Sequence, residues 1–235
     1  FYLINAIQML ENVLNLFYPK VCFGCSALLI SNESVICTRC RHEIPFTLHH
    51  QNPNNEAFKK FYGKIPIEFA ATFVYFHKKG IVQQLIHNLK YRGHEEIGSA
   101  FADWCAADLS SLEILSDIDE IIPVPIHKKK LKERGYNQVT TFGKSLSFHL
   151  KRSYNEHLLI RTKYSKTQTR KNLLNRIEVN NNEIFYVLYD SKDYNKHYLL
   201  IDDVLTTGST LEACGKALLK IPGAKISIYC MAMSH

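Results

Sequence analysis

The stretch Leu199-Leu200-Ile201-Asp202-Asp203-Val204-Leu205-Thr206-Thr207-Gly208-Ser209-Thr210 constrains this chain more than any other. An apolar run ends in two adjacent carboxylates, passes small hydroxyl residues around one glycine, and continues into a helical pattern with Leu211, Cys214 and Leu218 on one face. That is a strand, a tight loop and a helix in succession, and open α/β sheets bind ligands at the carboxyl ends of such strands. Two chemistries sit side by side there. The backbone N–H groups of Thr206, Thr207, Gly208, Ser209 and Thr210, with the hydroxyls and the helix N-terminus, suit a phosphate monoester. Asp202 and Asp203 repel a phosphate but accept hydrogen bonds from a vicinal diol, so a ribose 5-phosphate satisfies both halves. A plain strand end with an acidic cap and a Ser/Thr turn is the competing reading. Other phosphate loops are absent: Gly93 and Gly98 have the first spacing of G-x-x-x-x-G-K-[ST] without its lysine, and no G-x-G-x-x-G occurs.

The rest of the chain supplies the matching elements. Strand-like segments at 67–76, 118–124, 158–160, 184–188, 197–204 and 224–231 alternate with helical patterns at 81–89, 97–109, 134–150 and 209–220. Such alternation predicts a parallel or mostly parallel sheet with helices on its faces. Lys90-Tyr91-Arg92-Gly93 reads as a polar turn, and the Pro- and Asn-containing stretch 45–64 as a linker. The expected division is therefore 1–64, an amino-terminal helix, cysteine module and linker, and 65–235, the α/β domain. With 46% apolar and 22% charged residues, collagen-like, low-complexity and wholly disordered classes are excluded.

Four of the seven cysteines form two knuckles, Cys22-Phe-Gly-Cys25 and Cys37-Thr-Arg-Cys40. Two C-x-x-C turns can close a tetrahedral Zn²⁺ site. Two disulfides or four free thiols are the alternatives. Four thiolates leave no open coordination position, so the expected zinc is structural, in a module too small to fold without it. Cys105, Cys214 and Cys230 fall at apolar positions and read as buried thiols, while His77, His87, His94 and His235 lack metal-ligand spacing. Residues 3–17 read as a short amphipathic helix, interrupted by Asn5, Gln8, Glu11, Asn12 and Asn15, without a basic leader or a cleavage site. No segment approaches the roughly 18–20 apolar residues of a membrane span. The expectation is a cytoplasmic chain, working at most at the inner face of the membrane.

The net charge of +7 is concentrated: fourteen Lys and Arg face four acidic residues between 120 and 180. Within that quarter, His127 to Arg134 and the later Arg161, Lys163, Lys166, Arg170, Lys171 and Arg176 admit three readings. They are a solvated face, pyrophosphate contacts led by Arg134, and a nucleic-acid phosphate groove.

Residues 199–210 resemble the phosphoribosyl-pyrophosphate (PRPP) signature of type I phosphoribosyltransferases. The cysteine knuckles, Leu89 to Gly93, Pro123-Val124-Pro125, Arg134-Gly135-Tyr136-Asn137-Gln138, and Gln168, Leu173, Arg176, Asn180 and Phe185 narrow the resemblance to the ComF family, also called competence protein F or GntX-like. One departure is that four residues separate Gln168 from Leu173, more than in the family's pattern. The resemblance implies a type I phosphoribosyltransferase-like fold behind the zinc module. It implies that Asp202 and Asp203 hold ribose hydroxyls, Thr206 to Thr210 the 5-phosphate, and Lys90, Tyr91, Arg92 and Gly93 the pyrophosphate, to which the basic quarter would add Arg134. Mg²⁺ would travel with PRPP, and no residue is assigned as nucleophile because transfer in that superfamily is dissociative. It further implies a PRPP-binding protein of DNA uptake. Single-stranded DNA would lie along Lys128, Lys129, Lys130, Lys132, Lys163, Lys166, Arg170 and Lys171, with DNA-uptake or recombination proteins as partners. An active phosphoribosyltransferase on an unidentified base or amine is the alternative.

Overall fold

The structure is a computed structural model and describes residues 19–161 and 184–234. The expected helix at 3–17, Lys163, Lys166, Arg170 and Lys171, the resemblance residues Gln168, Leu173, Arg176 and Asn180, and His235 lie outside the described residues.

Five strands form one parallel sheet: β1 (Phe69–Phe76), β2 (Glu120–Pro123), β3 (Ser153–Tyr154), β6 (His197–Leu205) and β7 (Lys225–Ser234), in the order β1-β7-β6-β2-β3. β6 and β7 are nearly continuous apolar runs because helices cover both their faces. On one face, α3 (Ile81–Tyr91), α4 (Glu96–Ser110) and α6 (Thr140–Leu150) bury Leu85, Leu89, Phe101, Phe142 and Leu146. On the other, α7 (Ser209–Leu218) buries Leu211, Cys214 and Leu218. β6 is the middle strand, so its acidic end emerges at the centre of the sheet's carboxyl edge, where Asp202 stands beside Cys230 of β7.

Three local expectations are corrected. The segment 134–150 is not one helix: α5 (Lys128–Arg134) stops at Gly135, whose φ of 82° is left-handed, and α6 begins only at Thr140. Lys90 and Tyr91 are the last residues of α3 rather than a turn, with Arg92 capping it and Gly93 turning the chain at φ 77°. The segment 45–64 is packed. It contains a 3-10 turn (His49–Gln51) and the single-turn helix α2 (Glu56–Lys59), and it buries Ala57 and Phe61 beneath α7. Asn55 holds it there, its Nδ2 donating to the carbonyls of His49, Asn52 and Ala70 at 3.2, 2.9 and 2.8 Å. Proline and asparagine content reports local turns and does not register these distant partners.

β4 (Leu159–Arg161) and β5 (Phe185–Val187) pair antiparallel in a separate two-stranded sheet, with Leu159, Phe185 and Val187 in the α7 cluster. The two cysteine knuckles, the second running into α1 (Thr38–Glu43), contribute Cys22, Cys37 and Cys40 to the same buried cluster as Leu85 and Leu89 of α3. No helix among the described residues is long and apolar enough to cross a membrane.

Candidate functional site

The carboxyl edge of the sheet opens into a cleft of about 160 Å³. Asp202, Asp203 and Thr210 form its β6–α7 wall, Val124 to Ile126 its β2 wall, and Lys90, Lys130, Arg134 and Arg161 bring four cations to it. A second cleft of about 200 Å³ adjoins it, sharing Lys90, Lys130 and Arg134 and adding Tyr91, Gly93, Glu133 and Tyr136.

Asp203 is 5% exposed and forms an ion pair with Lys90, Nζ to Oδ1 at 2.9 Å. Its Oδ2 is buried and has no hydrogen-bond partner among the described residues. Asp202 accepts the backbone N–H of Asp203 on Oδ1 at 2.8 Å, and burial, followed by the Asp203 charge next to it, pushes its carboxyl up to about 8. The two adjacent carboxylates thus sit in different surroundings: Asp203 is paired with the Lys90 ammonium, while burial and the neighbouring charge disfavour ionisation of Asp202.

The loop that follows is a tight turn. Gly208 adopts φ 82° and caps α7 without a side chain of its own, and the Ser209 N–H donates to Thr207 Oγ1 at 3.4 Å. A Cβ on Gly208 would come within 3.2 Å of Phe61 Cε1, so the packed 45–64 segment forms the floor under this turn. Thr207 and Ser209 hydroxyls lie 2.9 Å apart on the exposed rim.

Across the cleft, α5 and the Gly135 turn present Arg134. Its Nη1 donates to Gln138 Oε1 at 2.7 Å, and its guanidinium lies 5.0 Å from the centre of the Tyr91 ring. Asn137 Nδ2 donates to the Val124 carbonyl at 3.0 Å, and Tyr136 donates its hydroxyl to the Leu89 carbonyl, so the turn is tied to both β2 and α3.

The structure therefore brings together Lys90, Arg134, Asp202, Asp203 and Thr210, with Tyr91 and Gly93 in the adjoining cleft. Thr206, Thr207 and Ser209 are exposed on the loop. Arg92 is exposed and lines neither cleft. Of the lysine run, Lys130 lines both clefts, while Lys128, Lys129 and Lys132 are exposed and line neither. Sequence reasoning did not single out Arg161 and Gln138 for this cleft. Gln138 meets Arg134 across the Gly135 turn, and Arg161 reaches the cleft through the β4–β5 pair, where its guanidinium lies 5.3 Å from the Phe185 ring centre.

At the amino-terminal end of the described chain, Cys22, Cys25, Cys37 and Cys40 place their sulfurs within 4.8 Å of one another, with Cys25 and Cys37 at 3.7 Å. Zn–S bonds of about 2.3 Å in a tetrahedron require S–S separations of about 3.8 Å, so the quartet fits zinc. Against the upward push of burial, N–H groups including those of Cys37 and Gly24, at 3.2 and 3.3 Å, bring the Cys22 thiol down to about 7. Burial and the neighbouring thiols raise Cys40 instead, because four sulfurs this close cannot all ionise without a cation. All seven cysteines are free thiols. The quartet is the one group of three or more metal-ligand side chains among the described residues.

No family model matches the chain. It is 27% identical over 157 residues to the DNA utilization protein YhgH of Escherichia coli O157:H7, covering 63% of this chain and 65% of that protein. The match thus spans just under two thirds of that relative's length. It is 26% identical over 222 residues to the competence protein ComFC of Bacillus subtilis, covering 92% of this chain and 85% of that one. Competence protein F of Haemophilus influenzae is 32% identical over 123 residues, 48% of this chain and 50% of its own. Among solved structures, adenine phosphoribosyltransferase of Leishmania tarentolae is similar over 61% of this chain and 73% of its own, at 16% identity and a TM-score of 0.36.

Proposed function

We propose that this chain, whose relatives are competence and DNA-utilization proteins of the ComF type, binds PRPP and acts in the handling of incoming DNA. The observation that carries the reading is that an acidic pair for ribose hydroxyls and Thr210, which follows the glycine turn assigned to the 5-phosphate, share one cleft with Lys90, Lys130, Arg134 and Arg161. The cations supply the charge a pyrophosphate needs, and Mg²⁺ arrives with PRPP. Holding the 5-phosphate at Thr206 to Thr210 and the pyrophosphate at Lys90 and Arg134 fixes the anomeric carbon between them.

On this reading single-stranded DNA follows the exposed Lys128, Lys129 and Lys132 on α5, beside the cleft, so PRPP and DNA meet on one face. DNA-uptake or recombination proteins are its partners, and the cytoplasm, at the inner face of the membrane, is its place of work. Phosphoribosyl transfer to a base or amine is a second reading. The adjoining cleft favours it, with Tyr91, Tyr136 and Glu133 around open space next to the pyrophosphate side. A crystal structure with PRPP and Mg²⁺ tests the assignment: the ribose hydroxyls should lie on Asp202 and Asp203 and the 5-phosphate on Gly208 to Thr210. PRPP bound elsewhere, or not at all, contradicts it.

A further inference from the structure

Lys90 belongs to both halves of the site. Its side chain lines both clefts, yet its ammonium is paired with Asp203, at the ribose end, at 2.9 Å. Both partners are largely shielded, with side chains 21% and 7% exposed. Separating them without replacing either partner leaves two poorly solvated charges, which is strongly unfavourable. Arg134 differs: it is anchored to Gln138 and stacked on Tyr91, with no contact to the acidic pair. Lysine is a compact charge on a flexible stem, suited to changing partners in a way that a forked, stacked arginine is not.

From this geometry we infer that Lys90 is an exchange residue that makes the cleft discriminate PRPP from ribose 5-phosphate. In the structure Lys90 occupies Asp203. A ribose 1-pyrophosphate offers the ammonium a new anion on the side of Tyr91 and Gly93, and Asp203 is then free to take the ribose hydroxyls on both oxygens. Ribose 5-phosphate brings no second anion. It must either share Asp203 with Lys90 or displace the lysine with nothing in return. A ligand shifts such an equilibrium only by its differential affinity for the two arrangements, and here that difference is the pyrophosphate.

The inference rests on the PRPP reading of the site, and titration calorimetry separates the two. Wild type, Lys90→Met and Arg134→Met are titrated with PRPP plus Mg²⁺ and with ribose 5-phosphate, after thermal melts confirm that each variant unfolds cooperatively; Lys90→Gln replaces the methionine variant if it does not. Lys90→Met should bind PRPP about tenfold more weakly or worse, the loss of one charge-assisted contact, and bind ribose 5-phosphate several-fold more tightly. Arg134→Met should weaken PRPP without strengthening ribose 5-phosphate. Unchanged or weaker ribose 5-phosphate binding by Lys90→Met overturns the exchange while leaving the PRPP site standing. Equal strengthening by Arg134→Met does the same, and failure of the wild type to bind PRPP overturns both.

Discussion

Asn88 Nδ2 donates to the Phe23 carbonyl at 2.8 Å, fastening the first cysteine knuckle to α3 two residues before Lys90. The knuckle grips the same helix elsewhere. A Cβ on Gly24 would stand 2.8 Å from Ile81 Cγ2 in the first turn of α3, and the Phe23 ring lies 4.0 Å from that of His94 just beyond the helix. The cysteine module is thus a splint along the helix that ends in the cleft. The protein should carry about one zinc per chain. Chelation should lower its melting temperature and increase hydrogen exchange in α3 as well as in the knuckles. A metal-free protein with unchanged melting and exchange would refute this role.

Gly208 and Phe61 set a second expectation. Gly208→Ala forces a left-handed φ on a residue with a Cβ and presses it against the Phe61 ring. It should destabilise by about 1–3 kcal/mol in urea titrations and weaken binding of the 5-phosphate. Phe61→Ala should cost about 3–5 kcal/mol, as for a buried aromatic, and not the near-zero effect expected of a linker residue.

Asp202 predicts a pH dependence of the ligand-free protein. Its folded carboxyl titrates near 8, well above the usual carboxylate value of about 4, so between these values the folded state binds more proton than the unfolded one. Its contribution to stability is therefore fully present below about pH 4 and is lost as pH rises through about 8. Asp202→Asn should flatten that decline and raise the melting temperature at pH 8 relative to wild type. An unchanged pH profile would remove Asp202 as its source.

If the α5 lysines meet DNA, single-strand affinity should fall steeply with salt. Reversing Lys128, Lys129 and Lys132 to Glu should reduce the logarithmic salt slope by about 2, at roughly 0.7 per phosphate contact, and leave PRPP affinity nearly unchanged. An unchanged slope would make these lysines a solvated face. Lys130 stays unchanged because it lines the cleft that holds Asp202 and Asp203.

The β6 strand, its glycine turn and α7 were legible because their determinants are contiguous: an apolar run, two acids and a glycine within twelve residues. The cysteine quartet was legible for the same reason. What escaped was set by distant partners. Lys90 finds Asp203 across 113 residues, and no local pattern reports that pairing. Within the lysine run only the helical phase of α5 separates Lys130, turned to the cleft, from its neighbours turned to solvent. The helix at 134–150 looked continuous because Tyr136 and Val139 keep helical spacing with Phe142, and the left-handed Gly135 that caps α5 is invisible to periodicity.

The acidic pair is the part of the cleft that distinguishes a ribose from any other phosphate ester. Calorimetric titration of PRPP with Mg²⁺ into wild type and into the Asp202→Asn/Asp203→Asn double variant tests it. Binding by the wild type and a loss of at least about tenfold in the variant, as expected when carboxylate acceptors for two ribose hydroxyls are removed, is the predicted result. Equal affinity in the two proteins would contradict the ribose assignment and the function built on it.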